Sequence, residues 1–158
     1  MEAESYANEQ VASFINQSFL PVTINIKQSP AHFHRFDVVW TPTVVILDDS
    51  GKERFRIDGY LSREEFVAHL EMGLARVAFM KKQWADAESR YSAISDRHPG
   101  SSAVPEAMYW AAVSHYKKTN DHTVLGHFSE ELAQKFPDNI WTEKASPWLP
   151  AKPEAKSA

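Results

Sequence analysis

The sequence predicts an α/β region followed by an all-α region, and three observations support this division. A short apolar run, Val44 to Leu47, is separated by a turn cluster from an alternating segment that ends at Asp58, and this pattern is typical of a β-hairpin. Long amphipathic segments follow one another from residue 64 onward. Two of the predicted helix pairs end at a proline, Pro99 and Pro137, as helices commonly do.

Composition limits the function classes. The 158 residues are 43% hydrophobic and 24% charged, which is ordinary for a soluble globular protein. A net charge of −4 lacks the basic footprint of a nucleic-acid-binding protein. No apolar run reaches the roughly 20 residues of a membrane span, and the polar N-terminus does not resemble a signal peptide. With no cysteine in the sequence, we expect a cytoplasmic protein.

The region before the hairpin is expected to contain three elements. They are a helix over residues 1–19, a short strand over residues 22–26 and a brief helix over residues 29–36. Apolar residues at helical spacing indicate the first helix. A proline in its first turn indicates the last.

The hairpin itself is the best-defined part of this region. Its first strand, residues 44–47, is continuously apolar and is therefore predicted to be buried on both faces. In the second strand, Phe55 and Ile57 point to one face, and Arg54 and Arg56 point to the other. A capping-box pattern from residue 62 then begins the next helix.

The entry to the hairpin carries a family resemblance. The pattern V-x-x-T-P-T before an apolar strand, then D-x-x-G-K-E and an amphipathic strand, resembles the second half of a thioredoxin fold over residues 2–72. The resemblance implies that Pro42 follows a cis peptide bond, that Thr41 contacts substrate backbone and that Trp40 forms part of a groove wall.

The chain also departs from that family. It has no cysteine, so it offers no dithiol chemistry of its own. The family's first central strand and its Cys-x-x-Cys motif are both missing, which implies an incomplete α/β thioredoxin-like fold. The chain is expected to begin just downstream of where the two cysteines would be, either because the true start lies upstream or because this is a truncated relative.

The all-α region is predicted to form two helical hairpins. The four helices are expected over residues 64–81, 85–97, 106–118 and 122–136. The closing prolines, small residues at Ala75, Ala78 and Ala87, and large fillers at Tyr91 and Tyr116 resemble tetratricopeptide repeats. The first of these helices is expected to be shared with the hairpin region and to dock the two regions together.

The domain boundaries follow from these assignments. We predict a partial thioredoxin-like domain over residues 1–72, tetratricopeptide-like repeats over residues 73–149 and a disordered tail over residues 150–158. Trp141 and Trp148 are expected to form a C-terminal cap of the repeats.

Other chemistry is not indicated by the sequence. His32 and His34 have no further ligand nearby at metal-binding spacing, so a metal site is not predicted. The five glycines form no phosphate-binding loop. The side chains of Trp84, Trp110, Trp141 and Trp148 are assigned to core or cap rather than to a ligand cage. No catalytic residue and no cofactor are therefore predicted.

Three functions remain open at this point. The first is a redox-inactive module that binds a protein or an extended peptide through Trp40, Thr41 and Pro42 and through its helical repeats, without nucleic acid, membrane or small-molecule cofactor. The alternative is a thiol-disulfide oxidoreductase whose Cys-x-x-Cys lies in a missing upstream segment. A structural adaptor without a peptide groove is a third possibility.

Overall fold

A computed structural model describes residues 8–25 and 27–149 of the chain. The elements in this part are helices α1 (Glu9–Ser18), α2 (Pro30–Arg35), α3 (Arg63–Met80), α4 (Trp84–Arg97), α5 (Val104–Thr119), α6 (Thr123–Lys135) and α7 (Ile140–Ala145), strands β1 (Thr43–Leu47) and β2 (Glu53–Asp58), and a final 3₁₀ turn (Ser146–Trp148). The described residues are thus mostly helical, with one two-stranded sheet. None of the helices in these residues is both long and apolar enough to cross a membrane.

The region before the hairpin is less regular than predicted. Helix α1 begins at Glu9, where the side chain of Asn8 accepts hydrogen bonds from the next turn; the predicted start of this helix lies outside the described residues. The strand predicted over residues 22–26 is wrong for residues 22–25, which are irregular, and Ile26 lies outside the described part. Val22 is 79% exposed, because no strand in the described residues pairs with this segment.

The hairpin forms with the predicted facing of its side chains. Strands β1 and β2 are antiparallel, and Ile46 lies opposite Phe55. The turn between them has Gly51 at φ 76°, a conformation that glycine adopts without steric cost. The expectation that β1 is buried on both faces is wrong, because Leu47 is 38% exposed while Ile46 is buried. In the described residues, β2 is the one strand that pairs with β1.

Helix α3 joins the two regions, as the sequence predicts. Phe66 and Leu70 pack into one core with the hairpin and α1. Ala68 and Met72 pack into a second core with α4 and α5. The backbone of Gly73 lies against Ile46 of β1 so closely that a Cβ atom there would fall 2.0 Å from Cδ1 of that isoleucine. The predicted domain boundary after residue 72 falls inside this continuous helix and stays a prediction.

The four long helices form two antiparallel hairpins, α3 with α4 and α5 with α6. Their bounds agree with the predicted bounds within two residues. Tyr91 of α4 is fully buried beneath small residues of the neighbouring helices, among them Ala75 and Ala107. Burial raises the pKa of the Tyr91 phenol well above its ordinary value. After α6, helix α7 closes a third core through Ala145.

One side chain at the start of α3 fastens the two helical hairpins together. The Ser62 hydroxyl accepts a hydrogen bond from the Glu65 amide, which is half of the predicted capping box. The Glu65 carboxylate instead accepts hydrogen bonds at 2.9 Å from the Ser102 amide and from the hydroxyls of Ser101 and Ser102. It therefore ties α3 to the loop before α5.

Candidate functional site

The predicted site lies on the loop between α2 and β1, which we call the entry loop (residues 36–42). The chain turns after α2 at Asp37, whose φ is 47°, and the Val38 amide donates back to the Phe33 carbonyl at 3.0 Å. The loop then projects outward and ends in the Thr41–Pro42 peptide bond, which is cis. The next residue begins β1.

Three carbonyl groups of the entry loop are held by other parts of the chain. Arg56 donates to the Phe36 carbonyl at 2.6 Å. The Thr43 hydroxyl lies 2.8 Å from the Trp40 carbonyl oxygen. The Gly59 amide donates to the carbonyl of the proline at 2.8 Å. The loop is thus fixed at its start, middle and end.

The segment between these anchors is open to solvent. Val39 is 87% exposed and Trp40 is 70% exposed, and both Thr41 and Pro42 are exposed. Within the described residues, neither the amide nor the carbonyl of Thr41 makes a hydrogen bond. Exposed apolar side chains next to free backbone groups are what an added extended strand requires. The structure therefore brings the three predicted site residues together on one exposed loop.

The side of β2 that faces the entry loop is charged. Arg56 forms two hydrogen bonds to the Glu53 carboxylate, at 2.8 and 2.6 Å. These bonds raise the pKa of Arg56 above its ordinary value although partial burial opposes the shift. The sequence predicts that this arginine faces away from the core, but its contact with the entry loop was not predicted. No local sequence signal marks a contact across a separation of 20 residues.

A second surface lies on the helical half and consists of aromatic rings. The Arg76 guanidinium sits 4.0 Å from the ring centre of Trp110, and the Lys144 ammonium sits 3.9 Å from that of Trp141. The rings of Tyr109 and Trp148 stack at 4.7 Å. Trp110, Trp141 and Trp148 are each half-buried, and the ring centres of Trp110 and Trp141 lie 6.3 Å apart. Their assignment to the core or cap of the repeats stays a prediction.

A groove also lies elsewhere on the described part of the chain. It has a volume of about 420 Å³ between β2 and α3 and is lined by Glu53, Arg54, Phe55, Arg56, Arg76 and Met80. Each arginine of this groove is paired with a carboxylate: Arg54 with Asp48, Arg56 with Glu53 and Arg76 with Glu106. The positive charges that line the groove are therefore already compensated by neighbouring carboxylates. The exposed backbone of the entry loop is a stronger candidate site.

The structure also bears on the predicted absence of a metal site. In residues 8–25 and 27–149, no three His, Asp or Glu side chains are grouped so that they could hold a metal ion. His32 and His34 are both exposed on α2.

Comparison with known proteins gives one finding of similarity. Residues 1–73 match the family model of a thioredoxin-like domain, which covers 73 of the 158 residues and includes the whole entry loop. No curated protein and no solved structure matches the chain. The resemblance inferred from the V-x-x-T-P-T pattern is therefore confirmed, whereas no family match covers the helical half.

Proposed function

We propose that the thioredoxin-like domain matched over residues 1–73 binds an extended peptide or protein segment along Val39, Trp40 and Thr41, and that the chain as given does so without redox chemistry. One observation carries this proposal: the Thr41 amide and carbonyl make no hydrogen bond within the described residues, although the loop around them is held in place. A free donor and a free acceptor on one fixed residue match the backbone of an extended peptide.

The neighbouring side chains support the same function. Val39 and Trp40 are large apolar side chains exposed at 87% and 70%. On a loop, such exposure favours an interaction surface. Successive side chains of an extended peptide point to opposite sides, so one side chain in two can pack on these residues while backbone hydrogen bonds supply affinity. Pro42 would shape the end of this site.

We further propose that residues 73–149 act as tetratricopeptide-like repeats that hold a second segment of the same partner. The support is the pair of antiparallel helical hairpins, the alanine-rich contacts around the buried Tyr91 and the cap formed by α7. Repeats of this kind present an extended helical face to their partners. The division into residues 1–72 and 73–149 and the cytoplasmic location remain predictions.

A peptide array tests the proposed site. Twelve-residue peptides tiled through unfolded proteins are probed with the chain, and the dissociation constant of the tightest peptide is measured by fluorescence anisotropy. We expect Trp40→Ala to weaken binding about tenfold, the effect of losing one central aromatic contact. The control is Leu20→Ser, because Leu20 is 96% exposed outside the entry loop. Equal binding by wild type and W40A would remove the entry loop from the proposal.

The family match favours a second candidate, a thiol-disulfide oxidoreductase with its Cys-x-x-Cys outside this chain. The 158 residues contain no cysteine, so this chain alone should not reduce insulin in the presence of dithiothreitol. Reading the DNA upstream of Met1 for an in-frame Cys-x-x-Cys tests the candidate directly. An in-frame stop immediately upstream would exclude it for this gene product.

A further inference from the structure

From the outward face of β2, Arg56 contacts the entry loop directly, and Asp58 is linked to it through Thr43 of β1. Arg56 donates from Nη2 to the Phe36 carbonyl at 2.6 Å, where the loop begins. Its Nη1 lies 3.9 Å from Oδ1 of Asp58. That same carboxylate oxygen lies 2.9 Å from the Thr43 hydroxyl, which in turn contacts the Trp40 carbonyl.

The Arg56–Asp58 contact is an ion pair, and the single hydrogen of the Thr43 hydroxyl can be donated either to Asp58 or to the Trp40 carbonyl at one time. These contacts connect Glu53 with the residue before Thr41. The planar guanidinium of arginine can serve two carboxylates and one carbonyl at the same time because it carries five donors in a fixed arrangement. Lysine has a single ammonium and would not match this geometry. The neighbouring Arg54 provides a contrast, because it pairs with Asp48 at 2.6 Å in the turn between the strands. Within the described residues it makes no hydrogen bond to the entry loop.

We infer that Arg56, acting with Asp58 and Thr43, positions the entry loop so that the free backbone of Thr41 is held ready for an extended peptide. This inference rests on the proposed function and adds the residues that determine its affinity. The three residues do not touch the peptide; they are positioning residues. A loop fixed before binding loses less conformational entropy when the peptide arrives, so the network should tighten binding without adding a contact.

Two amides report the position of the loop without any ligand. The Val38 amide is bonded to the Phe33 carbonyl, and the Gly59 amide is bonded to the Pro42 carbonyl, so both are protected only while the loop keeps its place. Their hydrogen exchange can be measured in the full chain by NMR. A network that holds the loop should control both rates.

The test compares four variants by amide exchange and by the dissociation constant of the tightest array peptide. We expect R56Q and T43V to speed exchange at Val38 and Gly59, and to weaken the peptide, each by about fivefold or more. T43S keeps the hydroxyl and should behave as wild type. R54Q removes an ion pair from the same strand face and should leave both readouts unchanged.

The outcomes separate this inference from the proposed function. Exchange and affinity in R56Q and T43V equal to those of R54Q would overturn the inference, and so would faster exchange with unchanged affinity. If R56Q does not fold, the comparison of T43V with T43S in amide exchange and peptide affinity tests the inference by itself. A wild-type chain that binds no array peptide overturns the proposed function, whereas the exchange rates still decide whether the network holds the loop.

Discussion

Glu65 shows how one side chain can take a role that its local sequence does not indicate. Three residues after Ser62, it fits a capping box, yet its carboxylate accepts hydrogen bonds from Ser101 and Ser102 in the loop before α5. Partial burial raises the pKa of this carboxyl, but the bonds from the two serines outweigh burial and lower the pKa below its ordinary value. The charged form is therefore stabilised by folding.

The variant Glu65→Gln should lose about 1.5–3 kcal/mol of unfolding free energy at pH 7, the size of hydrogen bonds to a charged group. A carboxyl with a lowered folded pKa contributes stability that is fully present above its unfolded pKa, about 4.3, and that disappears as the pH falls through the folded pKa. The difference between wild type and E65Q should thus shrink below about pH 4.3. Urea unfolding from pH 7 to pH 3 measures it.

The control for this series is Glu64→Gln, since Glu64 is the exposed neighbouring carboxylate on the same helix. Its unfolding free energy should stay within about 0.5 kcal/mol of wild type. A constant difference between wild type and E65Q across the whole pH range would contradict the role assigned to the charge.

Gly73 marks the closest approach of α3 to the hairpin. In a helix, Gly→Ala normally stabilises by about 1 kcal/mol. Here the new Cβ would lie 2.0 Å from Cδ1 of Ile46, and overpacking of this kind costs about 1–3 kcal/mol. We expect G73A to be net destabilising by about 1 kcal/mol.

A double-mutant cycle separates the two effects. The variant Ile46→Val removes the Cδ1 atom that the new methyl group meets. In the I46V background, G73A should therefore be neutral or stabilising, as measured by urea unfolding of all four chains. Gly100→Ala is a control, because no atom lies within 4 Å of its would-be Cβ. If G73A lowered the unfolding free energy equally in both backgrounds, the contact with Cδ1 of Ile46 would not be the source of the strain.

At the scale of the element, helix α3 contributes buried side chains to two cores, that of the β-hairpin and that of the helical half. Ala68 and Met72 of this helix are 0% and 1% exposed in the core of the helical half, and they lie before the predicted boundary at residue 72. A fragment that starts at residue 73 loses both. We therefore expect a fragment of residues 63–149 to unfold cooperatively by circular dichroism, and a fragment of residues 73–149 to lack a cooperative transition.

The reverse result would support an independent repeat domain that begins at residue 73. Mixing the shorter fragment with residues 1–72 provides the matched control, since all of α3 is then present in two pieces. Recovery of a cooperative transition in the mixture would attribute the loss to α3 itself.

The elements differ in how far the sequence could predict them. The four long helices were predicted within two residues, because helical periodicity and capping are properties of contiguous sequence. The segment around Val22 was predicted as a strand from composition, but a strand forms only with a partner, and the described residues supply none there. Likewise, the burial of β1 depends on its neighbours in space, and these are not encoded in its own five residues.

The candidate site itself stays a prediction, and only part of its surroundings could be inferred from the sequence. Trp40, Thr41 and Pro42 were singled out by a local pattern, and they do share one exposed loop. The contacts of Arg56 with Phe36 and of Asp58 with Thr43 join residues 20 and 15 positions apart. Such contacts are created by the antiparallel pairing of β1 with β2 and by the path of the entry loop. The alternation of apolar and polar residues along β2 could therefore show only that Arg56 faces outward.

At the scale of the whole molecule, the two halves differ in how their backbone is protected. The sheet has two strands in the described residues, and a two-stranded sheet is marginal without further strands or a packed helix. The hairpin relies on α3 and α1 for its single covered face. Helices α4 and α5, in contrast, lie in the alanine-rich core with Tyr91 at 0% exposure.

We therefore expect native-state hydrogen exchange to show that the β-hairpin opens more easily than the helical half. Amides of β1 and β2 should exchange through openings of lower free energy than amides in the middle of α4 and α5, by about 2 kcal/mol or more. Adding the tightest array peptide should raise protection in the entry loop and β1 and leave α5 unchanged, because the proposed contacts lie on Thr41 and its neighbours. The measurement is amide exchange in the full chain, free and with peptide. A hairpin that is the best-protected part of the free chain would contradict this ranking, because it would mean that its stability has a source other than the packing of α3 and α1.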